Sequence, residues 1–241
     1  MKYYAIADLH GRYDLLLEAV NKIYDHAGTD DYKIVTLGDY IDRGPDSNKI
    51  IEYLMKAGDS FVCLQGNHEA MAVESISSLP DINWWVGNGG DATIKSYGFD
   101  GNFSLDAHYA LKMPQGVIPD DHVKWMANLP LFFEAEKQVF VHAGIPDSNM
   151  NLPPSSNTTK GLRLREGMQW MMYDKTDGRG WRGKHVVHGH HQFADGPHVW
   201  HGRNGGRTDL DTFAWKTGRL VIGVFDDTQG PAKEFIEVKD A

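Results

Sequence analysis

Apolar and polar positions in the first third of the chain repeat one pattern: a short β-type run, a polar loop containing glycine, then a segment of helical spacing. Lys2 to Ala7 runs into Asp8-Leu9-His10-Gly11, after which Leu15, Leu16, Ala19, Val20 and Ile23 recur at three- and four-residue steps, the spacing of one buried helix face. The unit returns as Lys33 to Leu37, the loop through Arg43, and Ile50, Ile51 and Leu54. It returns again as Phe61 to Leu64, the Gly66 loop and a helix near Glu69. Such repetition predicts parallel strands with covering helices.

Between Asp81 and Met113 the pattern loosens, with Trp84, Trp85, Gly89-Gly90 and Tyr97-Gly98 among mixed polar residues. A cap or loop-rich insertion around 81–113 is expected there, within one domain spanning 1–241. Strands are predicted again at Leu131 to Ala135, Gln138 to Val141, Lys184 to Val187, Arg219 to Phe225 and Phe235 to Val238. Pro146 to Lys160, rich in Pro, Ser, Asn and Thr, reads as a mobile loop.

Five polar clusters stand where predicted strands end: Asp8-Leu9-His10-Gly11, Gly38 to Gly44, Gly66-Asn67-His68-Glu69, His142-Ala143-Gly144 and His188-Gly189-His190. Strand ends are where an α/β scaffold presents polar side chains to a ligand, so five in series imply one shared site. Composition narrows the choice of ligand. With 24 basic against 33 acidic residues the formal net charge is −9, which argues against a general grip on nucleic acid or anionic membrane. The single cysteine, Cys63, has no partner for an internal disulfide and reads as a small buried side chain. Neither a signal-peptide apolar region nor a run of ~20 apolar residues is found, so a cytoplasmic location is expected.

The clusters mix carboxylate and imidazole donors, a combination that suits manganese, iron, zinc and similar divalent ions. Asp8 and His10, one residue apart at a strand end, point to the same side and can grip one ion. Asp39 leaves the next strand at the equivalent place, and its two oxygens can bridge a pair of ions sharing an activated hydroxide. Glu69 is expected to cap or support. His188 is expected to be structural, and His26, His108, His122, His185, His198 and His201 to be solvated. Trp84, Trp85, Trp181 and Trp200 are expected in core or rim packing.

Asp8/His10, Gly38 to Gly44, Gly66 to Glu69, His142 and His190 together resemble the PPP branch of the calcineurin-like metallophosphatases. Asn88-Gly89-Gly90, Ser96-Tyr97-Gly98 and Leu210-Asp211-Thr212 are similar to stretches of the small bacterial and phage Ser/Thr protein phosphatases. The resemblance implies an α/β fold (α+β by some schemes), a β-sandwich of two mixed sheets flanked by helices. It implies a first ion on Asp8, His10 and Asp39, and a second on Asp39, Asn67, His142 and His190. Manganese is the first expectation, with iron, zinc, nickel, cobalt or magnesium as alternatives. His68 and Asp42 resemble the family's acid pair, and Arg43 its phosphate-gripping arginine. The implied reaction is direct attack on phosphorus by a metal-bound hydroxide, without a covalent intermediate.

Two departures from the family pattern bear on substrate. Gln65 stands where the family usually has arginine before Gly-Asn-His-Glu, leaving a neutral donor toward phosphate and predicting weaker grip on a monoester dianion. Phe213 stands where small members often have glycine. Arg165, in Leu164-Arg165-Glu166, is a further candidate for phosphate contact. The expected activity is a metal-dependent phosphomonoesterase, a Ser/Thr or dual-specificity protein phosphatase acting as a monomer on phosphorylated proteins or small phosphate esters. The alternative is symmetrical hydrolysis of diadenosine tetraphosphate. Phosphodiesterase chemistry is disfavoured because Gln192 replaces the extra histidine common in those branches, and nothing supports an inactive binding module.

Overall fold

The strands and helices of the first third form in the predicted order, in a computed structural model that describes residues 1–77, 82–99, 116–147, 151 and 167–240. β1 (Lys2–Ile6), α1 (Tyr13–Ala27), β2 (Tyr32–Thr36), α2 (Ser47–Met55), β3 (Phe61–Cys63) and α3 (Asn67–Ser77) follow one another as strand–helix units. The three strands pair in parallel, as right-handed crossovers through helices require. Leu15, Leu16, Ala19, Val20 and Ile23 all lie on the buried face of α1.

Further helices and strands complete the first sheet and cover it. Residues 82–99 carry α4 (Ile82–Trp85), a π-helical turn (Val86–Gly90) and α5 (Asp91–Ser96), and α6 spans Asp120–Asn128. The rest of the expected cap at 81–113, and most of the loop expected over 146–160, lie outside the described residues. The remaining strands are β4 (Phe132–Glu134), β5 (Gln138–Val141), β6 (His185–His188), β7 (His198–Trp200), β8 (Arg207–Asp209), β9 (Arg219–Asp226) and β10 (Gln229–Lys239). One sheet has the order β10-β9-β1-β2-β3 and the other β4-β5-β6-β8-β7. Both are mixed: β5, β6 and β8 run parallel, while β4, β7, β9 and β10 pair antiparallel.

Alternation along β1 decides which face packs where. Tyr3, Ala5 and Ala7 face the second sheet with Phe225 of β9, meeting Phe140, Val187 and Leu210, while Tyr4 and Ile6 face α1 and α2. A strand buried on both faces reads as a continuous apolar run, which is why β1 was visible in the sequence. β7 and β8 were not, because Arg207, Thr208 and Asp209 are polar yet buried. Fully burying each large aliphatic side chain of α1 contributes roughly 1.5–3 kcal/mol. The consequence for function is that the parallel strands of both sheets deliver their following loops to one end of the sandwich. Gly189 donates its N–H to His142 O at 2.8 Å, and His10 donates to Asp39 O at 2.8 Å.

Candidate metal centre

The loops that leave these strands are tightly bent. Asp8, His10, Asp39, Asp42, Arg43 and His190 all have positive φ, between 41° and 74°. For residues other than glycine this conformation costs roughly 1–2 kcal/mol each, less for Asp, and it persists only where the surroundings enforce it. Two glycines permit the approach of the loops. A Cβ on Gly66 would lie 2.2 Å from Asp39 Oδ1, and one on Gly189 would lie 2.0 Å from Asp8 Oδ2.

Asp39 lies at the centre of two groups of closely spaced donor atoms. One comprises His10, Asp39 and His68, the other Asp39, His142 and His190. His10 Nδ1 donates to Ile41 O at 2.8 Å, leaving its Nε2 lone pair 3.5 Å from Asp39 Oδ2. His142 Nδ1 donates to Leu37 O at 2.8 Å, so its Nε2 lone pair faces Asn67 Oδ1 at 2.8 Å and Asp39 Oδ1 at 3.4 Å. Three acceptors that converge without a hydrogen between them fit a cation, and backbone carbonyls holding the opposite ring nitrogens are the usual support of metal-ligating histidines. Asp8 stands slightly apart: its Oδ2 accepts His190 N–H at 3.0 Å, tying the first strand to the last ligand loop.

Electrostatics point the same way. Burial drives His10 and His142 below the usual imidazole value and takes His190 down to about 3, which favours the neutral, ligating form. Burial alone would raise Asp39, but His142, His68, His10 and His190 outweigh it and hold the carboxyl below its ordinary range. Asp8 is pushed well above that range by burial and by the charges of Asp211 and Asp39, so carboxylates are crowded where a cation would relieve them. The mixed nitrogen and oxygen donors fit divalent ions.

Beside the centre, His68 Nδ1 meets Asp42 Oδ2 at 2.5 Å. Asp42 is itself fixed by Trp85 Nε1 at 2.9 Å and by Thr93 Oγ1 at 2.6 Å, all of them buried. Burial opposes the charged form of His68, yet Asp39 and the Asp42 hydrogen bond prevail and raise its pKa. The Arg43 guanidinium donates to His10 Nε2 at 2.9 Å and to His68 Nε2 at 3.1 Å, and lies 5.6 Å from the Trp215 ring. Its backbone N–H reaches Gly89 O at 3.1 Å, which gives the Asn88-Gly89-Gly90 string a supporting task.

Glu69 does more than the sequence reading assigned to it. Fully buried, it accepts the backbone N–H groups of Asp39, Tyr40 and Gly66 at 2.8–2.9 Å and that of Ile41 at 3.4 Å. Burial and the charge of Asp39 raise its pKa to about 8 against the pull of these donors. By accepting the Gly66 N–H three residues back, Glu69 makes the carboxylate half of a capping box, with no N-cap side chain to answer it, and it also clamps the β2 loop to the β3 loop.

Two sequence expectations change. Gln65 is buried, donates through Nε2 to Met126 O at 2.7 Å and accepts from Gln169 Nε2 at 2.9 Å, so its amide is committed to the protein and not to substrate. His185, expected at the surface, is buried between Gly205 O and Thr208 Oγ1. Arg165 lies outside the described residues. Phe213 takes φ 59°, which accounts physically for a preference for glycine at such a position.

His188, expected to be structural, belongs to a second polar layer whose other members carried little signal in the sequence. His188, His191 and Asp209 also group closely, but Arg207 Nη1 donates to His188 Nε2 at 3.0 Å, leaving the hydrogen on Nδ1 and that ring unfit to ligate. The layer holds the His190 loop instead. Asp209 accepts Asp211 N–H at 3.0 Å, and Asp211 accepts the N–H groups of Gln192 at 2.9 Å and Phe213 at 2.8 Å. Besides His188, the Leu210-Asp211-Thr212 string was the other hint of it in the sequence.

Residues 1–215 match the family model for calcineurin-like phosphoesterases. The chain belongs to that family. Among curated relatives of this calcineurin-like phosphoesterase, serine/threonine-protein phosphatase 2 of Salmonella typhimurium is 28% identical over 146 residues, covering 61% of this chain and 60% of that protein. The symmetrical bis(5'-nucleosyl)-tetraphosphatase of Neisseria meningitidis is 28% identical over 145 residues, covering 60% of this chain and 44% of that protein. In both, and in shorter matches down to 24% of a relative, the chain spans less than two thirds of the curated protein's length. A solved structure provisionally assigned as a diadenosine tetraphosphatase shares the fold at TM-score 0.62 and 19% identity, over 99% of this chain and 93% of that one. Among the described residues of the phosphoesterase, no helix is long and apolar enough to cross a membrane.

Proposed function

We propose that this calcineurin-like phosphoesterase is a two-metal phosphomonoesterase acting on phosphorylated proteins, with Ser/Thr or dual specificity, as a cytoplasmic monomer. The observation that carries the reading is the His68–Asp42 pair set beside Asp39, with the Arg43 fork reaching both His68 and His10. Asp8, His10 and Asp39 would hold one divalent ion, manganese foremost, and Asp39, Asn67, His142 and His190 the other. Such ions, when bound, polarise phosphoryl oxygens and acidify water.

The chain's own groups supply the rest. Arg43, which donates to two imidazole nitrogens, offers the same planar fork to two phosphoryl oxygens. Once the Arg43 fork turns from His68 to phosphate, Nε2 is freed to take up a proton, and the protonated ring gives it to the leaving oxygen as the P–O bond breaks and a water oxygen bonds to phosphorus. Asp42 orients the ring through Nδ1 and supports its charged form. Asp39 keeps the β3 loop in register by accepting the His68 N–H at Oδ1, 3.1 Å away.

Symmetrical hydrolysis of dinucleoside tetraphosphates is the second reading, favoured by the neutral, buried Gln65 where a second phosphate-gripping cation would stand. Product analysis separates the two. Manganese-loaded protein is incubated with phosphoseryl, phosphothreonyl and phosphotyrosyl peptides and with diadenosine tetraphosphate. Release of phosphate from the peptides at the higher kcat/KM supports the first reading, and dominant formation of adenosine diphosphate supports the second. No hydrolysis of any ester refutes both.

A further inference from the structure

Two indoles from distant parts of the chain meet at the edge of the metal centre with much of their surface open to solvent. Trp84 is 51% exposed and Trp170 is 36% exposed, and their rings stack 5.3 Å apart with planes 25° from parallel. Trp170 meets the His190 ring at 6.2 Å and 85°, and His190 meets His142 at 5.1 Å. The stack therefore begins one ring away from the proposed second ion.

Trp84 is held from the opposite side. Its neighbour Trp85 is buried and donates to Asp42, while Asn88 Nδ2 donates to Trp84 O at 2.8 Å and Gly89 O receives Arg43 N–H. The segment that secures the acid pair and the phosphate fork thus also sets the position of the exposed indole. Among the described residues, no other pair of exposed rings stacks. Leaving two indoles in water forgoes the burial that usually stabilises them, and a flat face beside a phosphate site has an evident use. With a formal charge of −9 the chain has little general attraction for anionic ligands, so ring contact would add affinity that long-range charge does not.

We propose that Trp84 and Trp170 form a stacking platform for a planar aromatic group carried by the phosphate ester. The inference rests on the phosphoesterase reading above and, within it, favours the phosphotyrosyl arm of dual specificity or a nucleoside phosphate over the aliphatic phosphoseryl and phosphothreonyl esters. A tyrosyl ring and a nucleobase share the chemistry required, a π face linked to phosphate.

Matched ligand pairs test it by calorimetric binding to the manganese-loaded protein. Phenylphosphonate is compared with methylphosphonate, and adenosine 5'-monophosphate with ribose 5-phosphate. Aromatic stacking contributes enough that the aromatic member of at least one pair should bind about fivefold tighter or more. Trp84→Ala should bring that ratio close to one, and Trp84→Phe should restore most of it, with thermal melting confirming that both variants fold. A phenyl preference assigns aryl esters, and an adenosine preference assigns nucleotides. Ratios near one in the wild type, or ratios untouched by Trp84→Ala, overturn the proposal. Turnover of p-nitrophenyl phosphate in parallel tests the phosphatase reading alone: a protein with the expected binding ratio and no hydrolysis keeps the platform and loses that assignment.

Discussion

Adding a single methyl group at Gly66 probes the contact on which the centre is built. The Cβ of Gly66→Ala would stand 2.2 Å from Asp39 Oδ1, 2.4 Å from Asp39 N and 2.9 Å from Glu69 Oε2. Relaxing these contacts to ordinary separation requires the β2 and β3 loops to part by about 1 Å, which for overpacked interiors costs about 1–3 kcal/mol. For a chain of this size each kcal/mol lowers the melting temperature by roughly 2–4 °C. The motion also displaces Asp39, and a shift of about 1 Å in a catalytic group can cost about 100-fold in rate. Gly87→Ala is the matched control, because its added Cβ meets nothing within 4 Å. Melting by differential scanning calorimetry, manganese titration and kcat/KM on p-nitrophenyl phosphate are measured for both. If Gly66→Ala melts, binds manganese and turns over like Gly87→Ala, the close approach of the two loops has no role in the centre.

Three further outcomes are expected. Asp39→Asn should retain the far-UV circular dichroism of the wild type while losing about 100-fold or more in manganese affinity, since even supporting residues of metal ligands account for 10–100-fold; undiminished binding would remove Asp39 from the centre. Asp42→Asn should move the alkaline limb of the pH–rate profile downward. The pKa of His68 is raised from 6.5, so its protonated form, and the stability it contributes, is complete below that value and lost as pH rises through the folded pKa. An unmoved limb would assign the proton to another group. Gln65→Arg should destabilise by about 3 kcal/mol or more, because it buries a guanidinium without a counter-charge; a wild-type melting temperature together with tighter phosphate binding would restore the substrate role first expected of residue 65.

What could be read in advance follows from physical regularity. β1, α1 and β2 carry apolar residues in the patterns that secondary structure imposes, so the run of β1 and the single face of α1 that holds both Leu16 and Ile23 were visible. The candidate ligands were legible because each directly follows a strand. Arg207, Asp209 and Asp211 were not, since polar residues buried against one another leave no periodic trace, and their partners His188, Gln192 and Phe213 are set by folding. Gln65 was misread for the same reason: its position beside Gly66 suggests substrate, whereas its partners Met126 and Gln169 come from remote segments. Trp170 carried no local motif and gained meaning only when α4 brought Trp84 to it.

The left-handed backbone at Asp8, His10, Asp39, Asp42, Arg43 and His190 has a consequence for any attempt to make this protein more robust. At each of these sites glycine or asparagine would relax the main chain, by about 1 kcal/mol where the present residue is strained most. A library screened for heat resistance alone should therefore accumulate such exchanges and drift toward hardy, inert descendants.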